Sequence, residues 1–443
     1  MNSYLNLKLI GEGSYGKVYS GTKGGVKYAI KQDKRPLSQS YLREIATLRT
    51  IGKDPRVGLI SYEEFIPEDS AIVLEFMNTD LFSELDQGYI KSDKGSIADL
   101  LFGMKYLHSH GIMHRDIKED NILCTGNNND VMCLTDFGIS RWIGGGGITL
   151  TPQIFPRELS PPEIILGSRS YSYSSDIWCL GIVILEMYLG EILPFPSDKS
   201  TIRERLGFLE KFTKSPYYSG VTKIEEYYNN GRLTKDQYNL VRKMLAYDPL
   251  DRPSANQLLI DLGYKLEPMS NYNSIILENL LKLDTIEEMS LDSPSRSESN
   301  MDISYEEPLD NRLFLADLFH DKKVKPDTIH LAIRYYDITG VNIKVCEELA
   351  YRINEVVHYP NIGLNREIIK LIKLLDYQLY QPTIINVYRL YSNRIYTLDL
   401  KLLNKVAVSG IANRYGINRV VKSIINDNDI IRQLINLPDI PSL

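Results

Sequence analysis

The sequence predicts an α+β fold, rich in strands at first and in helices farther on, followed by an all-α domain. Three observations carry this. Short apolar stretches (Leu7 to Ile10, Val18 to Ser20, Tyr28 to Ile30, Ala71 to Met77) alternate with glycine-rich turns near the start. Farther on, Ile97 to His110 has helical periodicity, and Ile177 to Leu189 is almost continuously apolar. The chain from Asn311 to Leu443 shows helical spacing with no strand alternation. At 443 residues and 43% hydrophobic, the chain has room for two or three domains with sizeable cores.

The balance of 51 basic against 57 acidic residues gives a net charge of −6, which argues against a broad basic face for nucleic acid. Cys124, Cys133, Cys179 and Cys346 are scattered without a C-x-x-C pair, as expected of reduced thiols in an intracellular protein, cytoplasmic or nuclear. Met1 to Ile10 lacks a charged stretch followed by an apolar run, so no secretory leader is expected. Ile177 to Leu189 is too short to span a bilayer and contains Glu186, so it reads as a buried helix and no membrane association is expected.

Within the helix-rich part, His114-Arg115-Asp116-Ile117-Lys118-Glu119-Asp120-Asn121 places an acid, a lysine and an amide at fixed offsets. Fifteen residues after Asn121 comes Asp136-Phe137-Gly138. The apolar stretches Ile122 to Cys124 and Val131 to Thr135, separated by the turn Gly126 to Asp130, put the two acids at the ends of a hairpin facing one cleft. These are the residue types that phosphoryl transfer needs. A carboxylate orients the attacking hydroxyl and takes its proton, an ammonium meets charge on the moving group, and Asn and Asp are hard oxygen ligands for magnesium.

Upstream, Gly11-Glu12-Gly13-Ser14-Tyr15-Gly16-Lys17-Val18 is a glycine-rich flap that continues as strand, with Tyr28-Ala29-Ile30-Lys31 one strand later. Ser38 to Ile51 repeats apolar residues at Leu42, Ile45, Leu48 and Ile51, and contains Glu44, a candidate partner for Lys31. In this order the motifs resemble the eukaryotic protein kinases, over about residues 1 to 265. The resemblance implies a first lobe over 1–77 and a second over 78–265. It implies an ATP site of Gly11, Gly13, Gly16, Val18, Ala29, Lys31 and Glu44, with the hinge residues Glu75 and Met77. Asp116 is implied as the catalytic base, Lys118 as the γ-phosphate contact, and Asn121 and Asp136 as magnesium ligands. Glu163 of Pro161-Pro162-Glu163 is expected to pair with Arg252, and Asp176 to cap the catalytic loop from below. Leu180, Val183, Ile184 and Met187 read as core.

Arg43-Glu44-Ile45 and the spacing from Asp136 to Glu163 resemble the cyclin-dependent kinases in particular. That likeness places Thr151 at an activating phosphorylation site, with Arg43, Arg115 and Arg141 to receive the phosphate, and Ser14 and Tyr15 at an inhibitory one. There are departures. Pro156 stands where a threonine is usual, and Glu158-Leu159-Ser160 replaces the family's Trp-Tyr-Arg, so a preference for Ser/Thr-Pro substrates does not follow. These departures leave a catalytically weak scaffold as the rival reading.

Residues 266–310 read as a linker, partly helical and then acidic, with Arg296 the only base from Asp284 to Asp310 and a Ser293-Pro294 dipeptide. The 27 residues from Asp284 to Asp310 give a flexible-chain reach of roughly 30 Å. In 311–443, Leu313, Leu318, Ile329, Ile333 and Tyr336 fit two amphipathic helices. Thr328 to Asp337 and Glu367 to Thr383 resemble helices of a cyclin box. Glu367 is about one place out of register, and Val341 to Val357 stands where a small-residue helix is usual. The partners implied are protein substrates and either this cyclin-like domain in cis or a separate cyclin. The alternative is that the helical domain docks another protein.

Lys118 distinguishes serine/threonine from tyrosine kinases within the family that the motifs resemble. The labelled product is therefore phosphoserine or phosphothreonine by phosphoamino-acid analysis, and phosphotyrosine as the main product would refute this.

Overall fold

The structure, a computed structural model, describes residues 3–13, 16–52, 58–88, 94–125, 131–142, 160–168, 172–196, 200–213, 215–216, 218–266, 326–354, 365–380 and 383. Two compact units account for the chain. Residues 1–36, 43–143 and 147–270 make the first; residues 37–42 belong with the stretch from 271 onward in the second.

The first unit begins with strands β1 (Leu5–Glu12), β2 (Gly16–Lys23) and β3 (Val26–Asp33), helix α1 (Gln39–Ile51), and strands β4 (Tyr62–Ile66) and β5 (Ala71–Glu75). The five strands form one antiparallel sheet in the order β1-β2-β3-β5-β4. Its core gathers Tyr4, Ile30, Ala71 and Val73, with Tyr19, Tyr28 and Ile66 packed against them. Ile45 and Leu48 of α1 are fully buried, as their helical spacing requires. In β3, Lys31 pairs across the sheet with Val18 on one side and Ile72 on the other.

Next come β6 (Thr79–Asp80), α2 (Leu81–Asp86), α3 (Lys94–Ser109), β7 (Ile112–Met113), β8 (Ile122–Cys124), β9 (Met132–Leu134) and β10 (Arg141–Trp142). Strands β8 and β9 are an antiparallel pair, so the expected hairpin forms, and β6 extends it to three strands. The helices that follow are α4 (Pro162–Ile165), α5 (Tyr173–Leu189), α6 (Ile202–Phe212), α7 (Lys223–Asn229), α8 (Lys235–Met244) and α9 (Ala255–Asp261). Thr201, Thr222 and Thr234 begin α6, α7 and α8, each with a Glu or Gln three residues on closing a reciprocal capping box.

Helix α5 is the axis of this lobe. Ser172 caps it, Gly190 ends it in the left-handed conformation at φ 72°, and thirteen of its seventeen residues are buried. A helix apolar on every side belongs inside, and Leu180, Val183, Ile184 and Met187 are buried core. All four cysteines are buried free thiols. Among the described residues no helix is long and apolar enough to cross a membrane.

The described part of the second unit from 326 onward is helical: α10 (Pro326–Thr339), α11 (Ile343–Asn354) and α12 (Asn365–Leu374). Leu331, Ala332, Ile333 and Tyr335 are buried in α10, Val345, Cys346, Leu349, Ala350 and Ile353 in α11, and Ile368, Leu371 and Ile372 in α12. The Tyr335 hydroxyl donates to the Leu379 carbonyl at 2.6 Å. Helix α11 fills the stretch that the sequence reading treated as a substitute for a small-residue helix, with Cys346 and Ala350 among its buried residues. The segment Glu367 to Thr383 is helical only to Leu374, because the chain turns left-handed at Asp376 and Tyr377, φ 46° and 61°. Leu313, Leu318 and residues 267–310 of the linker lie outside the described residues.

Arg252 holds the base of the second lobe together. Its guanidinium makes a two-pronged pair with Glu163 at 2.8 and 2.8 Å and stacks 4.8 Å from the Trp178 ring. Ser175 Oγ donates to the same carboxylate at 2.8 Å. Removing one partner of such a pair leaves a charge away from water, so Arg252→Met is expected to cost about 3–5 kcal/mol in urea unfolding of the full chain. An unchanged midpoint would contradict the assignment.

Candidate active site

Four segments meet at the cleft of the first unit: β3, α1, the catalytic loop after β7, and the turn after β9. Lys31 joins three of them. Its ammonium lies 2.8 Å from Glu44 Oε2 on α1 and 2.9 Å from Asp136 Oδ1 after β9. The Lys31 side chain is 20% exposed and Glu44 only 3%, so the cluster is shielded but open on one side. Burial works to lower the Lys31 pKa, yet Asp136 and Glu44 outweigh it and hold the ammonium above its ordinary value. For Asp136, burial pushes upward, but Lys31 and the Gly138 N–H prevail and keep it below the usual carboxylate range. Glu44 goes the other way. Its burial exceeds the help from Lys31, and its pKa is raised to about 7.

The catalytic loop is fixed from beneath by Asp176, fully buried in the first turn of α5. Its two oxygens accept from the backbone N–H groups of His114 and Arg115, each at 2.9 Å, and His108 Nε2 lies 3.1 Å away. Burial pushes Asp176 upward, and the His108 bond more than offsets it, leaving a lowered pKa. These two amide bonds hold Arg115 in the left-handed region, at φ 69°. Asp136 is left-handed as well, at φ 60°, so both motif turns are strained and both are held by charged groups. His114 Nε2 lies 2.9 Å from the Thr135 carbonyl, and its ring packs against that of Phe137 at 5.2 Å, tilted by 58°, tying the loop to the Asp-Phe-Gly turn.

Beyond this turn, Asn121 Nδ2 donates to both the carbonyl and Oδ2 of Asp116, at 2.8 Å each. Both amide protons are thus committed, and the oxygen of Asn121 is what remains for a cation. Lys118 Nζ is 3.6 Å from Asp116 Oδ2. Asp116, Lys118 and Asn121 therefore form one group, and Asp136 faces it across the hairpin. Hard oxygen donors from Asn121 and Asp136 suit magnesium, and Lys31 and Lys118 supply positive charge suited to a triphosphate.

Around this centre, Gly11 and Val18 lie on β1 and β2, and Ala29 on β3 between Ser20 and Leu74. The Glu75 N–H is already bound to the Ser61 carbonyl, 3.1 Å away, so a nucleotide base would meet its carbonyl side. Gly16 has a reason the sequence did not disclose. A Cβ there would lie 2.2 Å from the Gln32 carbonyl, so the strand pairing itself requires glycine. Gly13 donates to the Gly16 carbonyl at 3.0 Å and closes the flap.

Arg43 follows α1's first turn, Arg115 donates to the Ile139 carbonyl, and Arg141 begins β10; all three are buried. Ser14, Tyr15, Thr151, Pro156, Glu158 and Leu159 lie outside the described residues. Sequence reasoning missed Thr47 and Ser140, whose hydroxyls meet at 2.7 Å between α1 and the Asp-Phe-Gly segment. It also passed over Arg352, within the helical tail. Neither has a spacing signal.

Comparison with known proteins agrees with this geometry. The model of the protein kinase domain family matches residues 4–261. The chain is 32% identical over 279 residues to the probable CTD kinase subunit alpha homolog of Encephalitozoon cuniculi, covering 58% of this chain and 82% of that protein. It is 31% identical over 290 residues to the human cyclin-dependent kinase-like 2, spanning 57% of it, and 29% identical over 311 residues to the CTD kinase subunit alpha of Schizosaccharomyces pombe, spanning 51%. The crystal structure of the yeast RNA Pol II CTD kinase CTDK-1 complex contains a chain with the same fold, at a TM-score of 0.50 and 22% identity, over 60% of this chain and 94% of that one.

The raised Glu44 sets a pH dependence. Its carboxyl favours the folded state most below the ordinary value of 4.5, and that contribution is lost as pH rises through about 7. The charged pair with Lys31 has the opposite dependence and forms only as Glu44 ionises. Accordingly kcat/KM for MgATP should fall on the acid side with a midpoint near 7. Glu44→Gln should be slower and should lose that limb. An identical acid limb in the variant would assign it to another group.

Proposed function

The chain belongs to the protein kinase family, and from that premise we propose that it moves the γ-phosphoryl group of ATP to serine or threonine of protein substrates and is activated by its own C-terminal helical domain. The observation that carries the transfer reading is the Lys31 ammonium seated between Glu44 and Asp136, since a complete set of charged groups has been kept at one cleft. In this reading Asp116 orients the substrate hydroxyl and takes its proton, and the nearby Lys118 offsets charge at the γ-phosphate. Lys31 steadies the α- and β-phosphates, with Glu44 fixing its position. Glycines 11, 13 and 16 bring the backbone over the nucleotide, while Val18, Ala29, Glu75 and Met77 bound the base. Asn121 and Asp136 would hold magnesium, which neutralises phosphate charge when bound. A phosphate on Thr151 received by Arg43, Arg115 and Arg141 would order the activation segment.

The relatives named above, a cyclin-dependent kinase-like protein and two CTD kinase subunits, support a cyclin-dependent-like serine/threonine kinase. What supports activation in cis lies inside the second unit. Arg352 on α11 donates from Nη1 to the Leu37 carbonyl at 3.3 Å, and Glu348 holds the same guanidinium at 2.7 Å. Leu37 is buried and left-handed, φ 49°, two residues before α1 begins. A leucine in that conformation costs of order 1–3 kcal/mol and persists only where neighbours over-determine it. This Arg352–Leu37 contact, within the second unit, is what supports the reading that the tail acts on the chain ahead of α1.

Two experiments test these two levels. Asp116→Asn should lower kcat by at least about a hundredfold in a radiolabelled-ATP assay, and undiminished transfer would overturn the base assignment. Deleting residues 311–443, after confirming that the kinase part still folds, should lower transfer, and the tail added as a separate chain at high concentration should restore it. Full activity without the tail would favour the docking-module alternative. ATP binding without transfer by the intact chain would favour the scaffold.

A further inference from the structure

Thr47 stands one turn beyond Glu44 on α1, and Ser140 stands four residues beyond Asp136. Their hydroxyl oxygens are 2.7 Å apart, and both residues are fully buried. Ser140 Oγ gives its own proton to the Phe137 carbonyl at 2.7 Å. The two hydroxyls are hydrogen-bonded to each other, and Ser140 Oγ bridges Thr47 and the Phe137 carbonyl. The result is a relay from α1 through Ser140 to the central residue of the Asp-Phe-Gly turn. The Ser140 N–H reinforces its far end with a bond to the same carbonyl at 3.0 Å.

Glu44 and Asp136 sit on the same two segments and share Lys31. Helix α1 and the Asp-Phe-Gly segment are thus joined twice, once by charge and once by neutral hydroxyls. The two joints differ in what can open them. The ionic one is partly exposed, contains a carboxyl that titrates near pH 7, and must rearrange when phosphates draw on Lys31. The hydroxyl joint is sealed from water and does not titrate. We infer that Thr47 and Ser140 are positioning residues for phosphoryl transfer, their bridge keeping α1 and the Asp-Phe-Gly turn in register so that Glu44 and Asp136 are presented to Lys31 together. This rests on the kinase reading and adds to it a second coupling that does not depend on charge.

Thr47→Val keeps the branched shape of the side chain and removes its hydroxyl, while Ser140 keeps its own bond to Phe137. In the full-length chain, this variant should weaken MgATP binding by calorimetry and lower kcat/KM for MgATP by roughly three- to tenfold, as expected for one hydrogen bond that biases a two-state element. The KM for protein substrate should not change. Thr47→Ser should match wild type, Ser140→Ala should reproduce Thr47→Val, and the double variant should be no worse than either single. Wild-type MgATP parameters in Thr47→Val would overturn the inference. So would equal impairment of Thr47→Ser, which would indicate packing alone, or additive losses in the double variant. If Thr47→Val does not fold, Ser140→Ala decides by the same MgATP parameters. Failure of the kinase reading would appear separately, as a wild-type chain that binds MgATP without transfer, and the calorimetric comparison would still decide the bridge.

Discussion

Three ionisable groups partly shielded from water meet at Lys31, and the rest of the first unit is arranged around that constraint. One ammonium serves two carboxylates that come from segments 13 and 105 residues away. A buried charge without its partner is costly, so moving any one of the three segments leaves the others uncompensated. Strand β3 fixes Lys31 through its pairing with β2 and β5. That pairing is so close at Gly16 that a methyl group would strike the Gln32 carbonyl. Helix α1 brings Glu44 by burying Ile45 and Leu48. The hairpin of β8 and β9 delivers Asp136.

The catalytic loop answers to a second anchor. Asp176 belongs to α5, the most enclosed helix of the unit, and its bonds to His114 and Arg115 tie the loop to that rigid axis. Left-handed backbone at Arg115 and Asp136 is the strain that such anchoring sustains. The second lobe therefore presents Asp116, Lys118 and Asn121 from a fixed base, while Glu44 rides on a helix whose entry is held elsewhere.

Much of this was legible in the sequence because the chemistry sits in short motifs at rigid offsets. Asp116, Lys118 and Asn121 share one turn, so their spacing alone groups them. The pairs Lys31–Glu44 and Glu163–Arg252, though distant in sequence, were reached because each residue sits within a motif of a recognisable family. The contacts that motifs do not encode were out of reach. Thr47 read as one more helix residue, and Ser140 as the position after an apolar one. Gly16 read as a phosphate-side glycine, although strand packing demands it. In the tail the periodicity foretold helices, but α12 ends at Leu374 through two left-handed residues that no glycine announces, and Arg352 carried no signal.

Hydrogen exchange of the α1 amides compares most directly with the central claim, that the shared ammonium holds α1 in place. In the full-length chain, Lys31→Met should raise exchange across residues 43–51 while α5 stays as protected as in wild type. Unchanged protection of α1 would mean that its position does not depend on Lys31, and the account built on that bridge would fail.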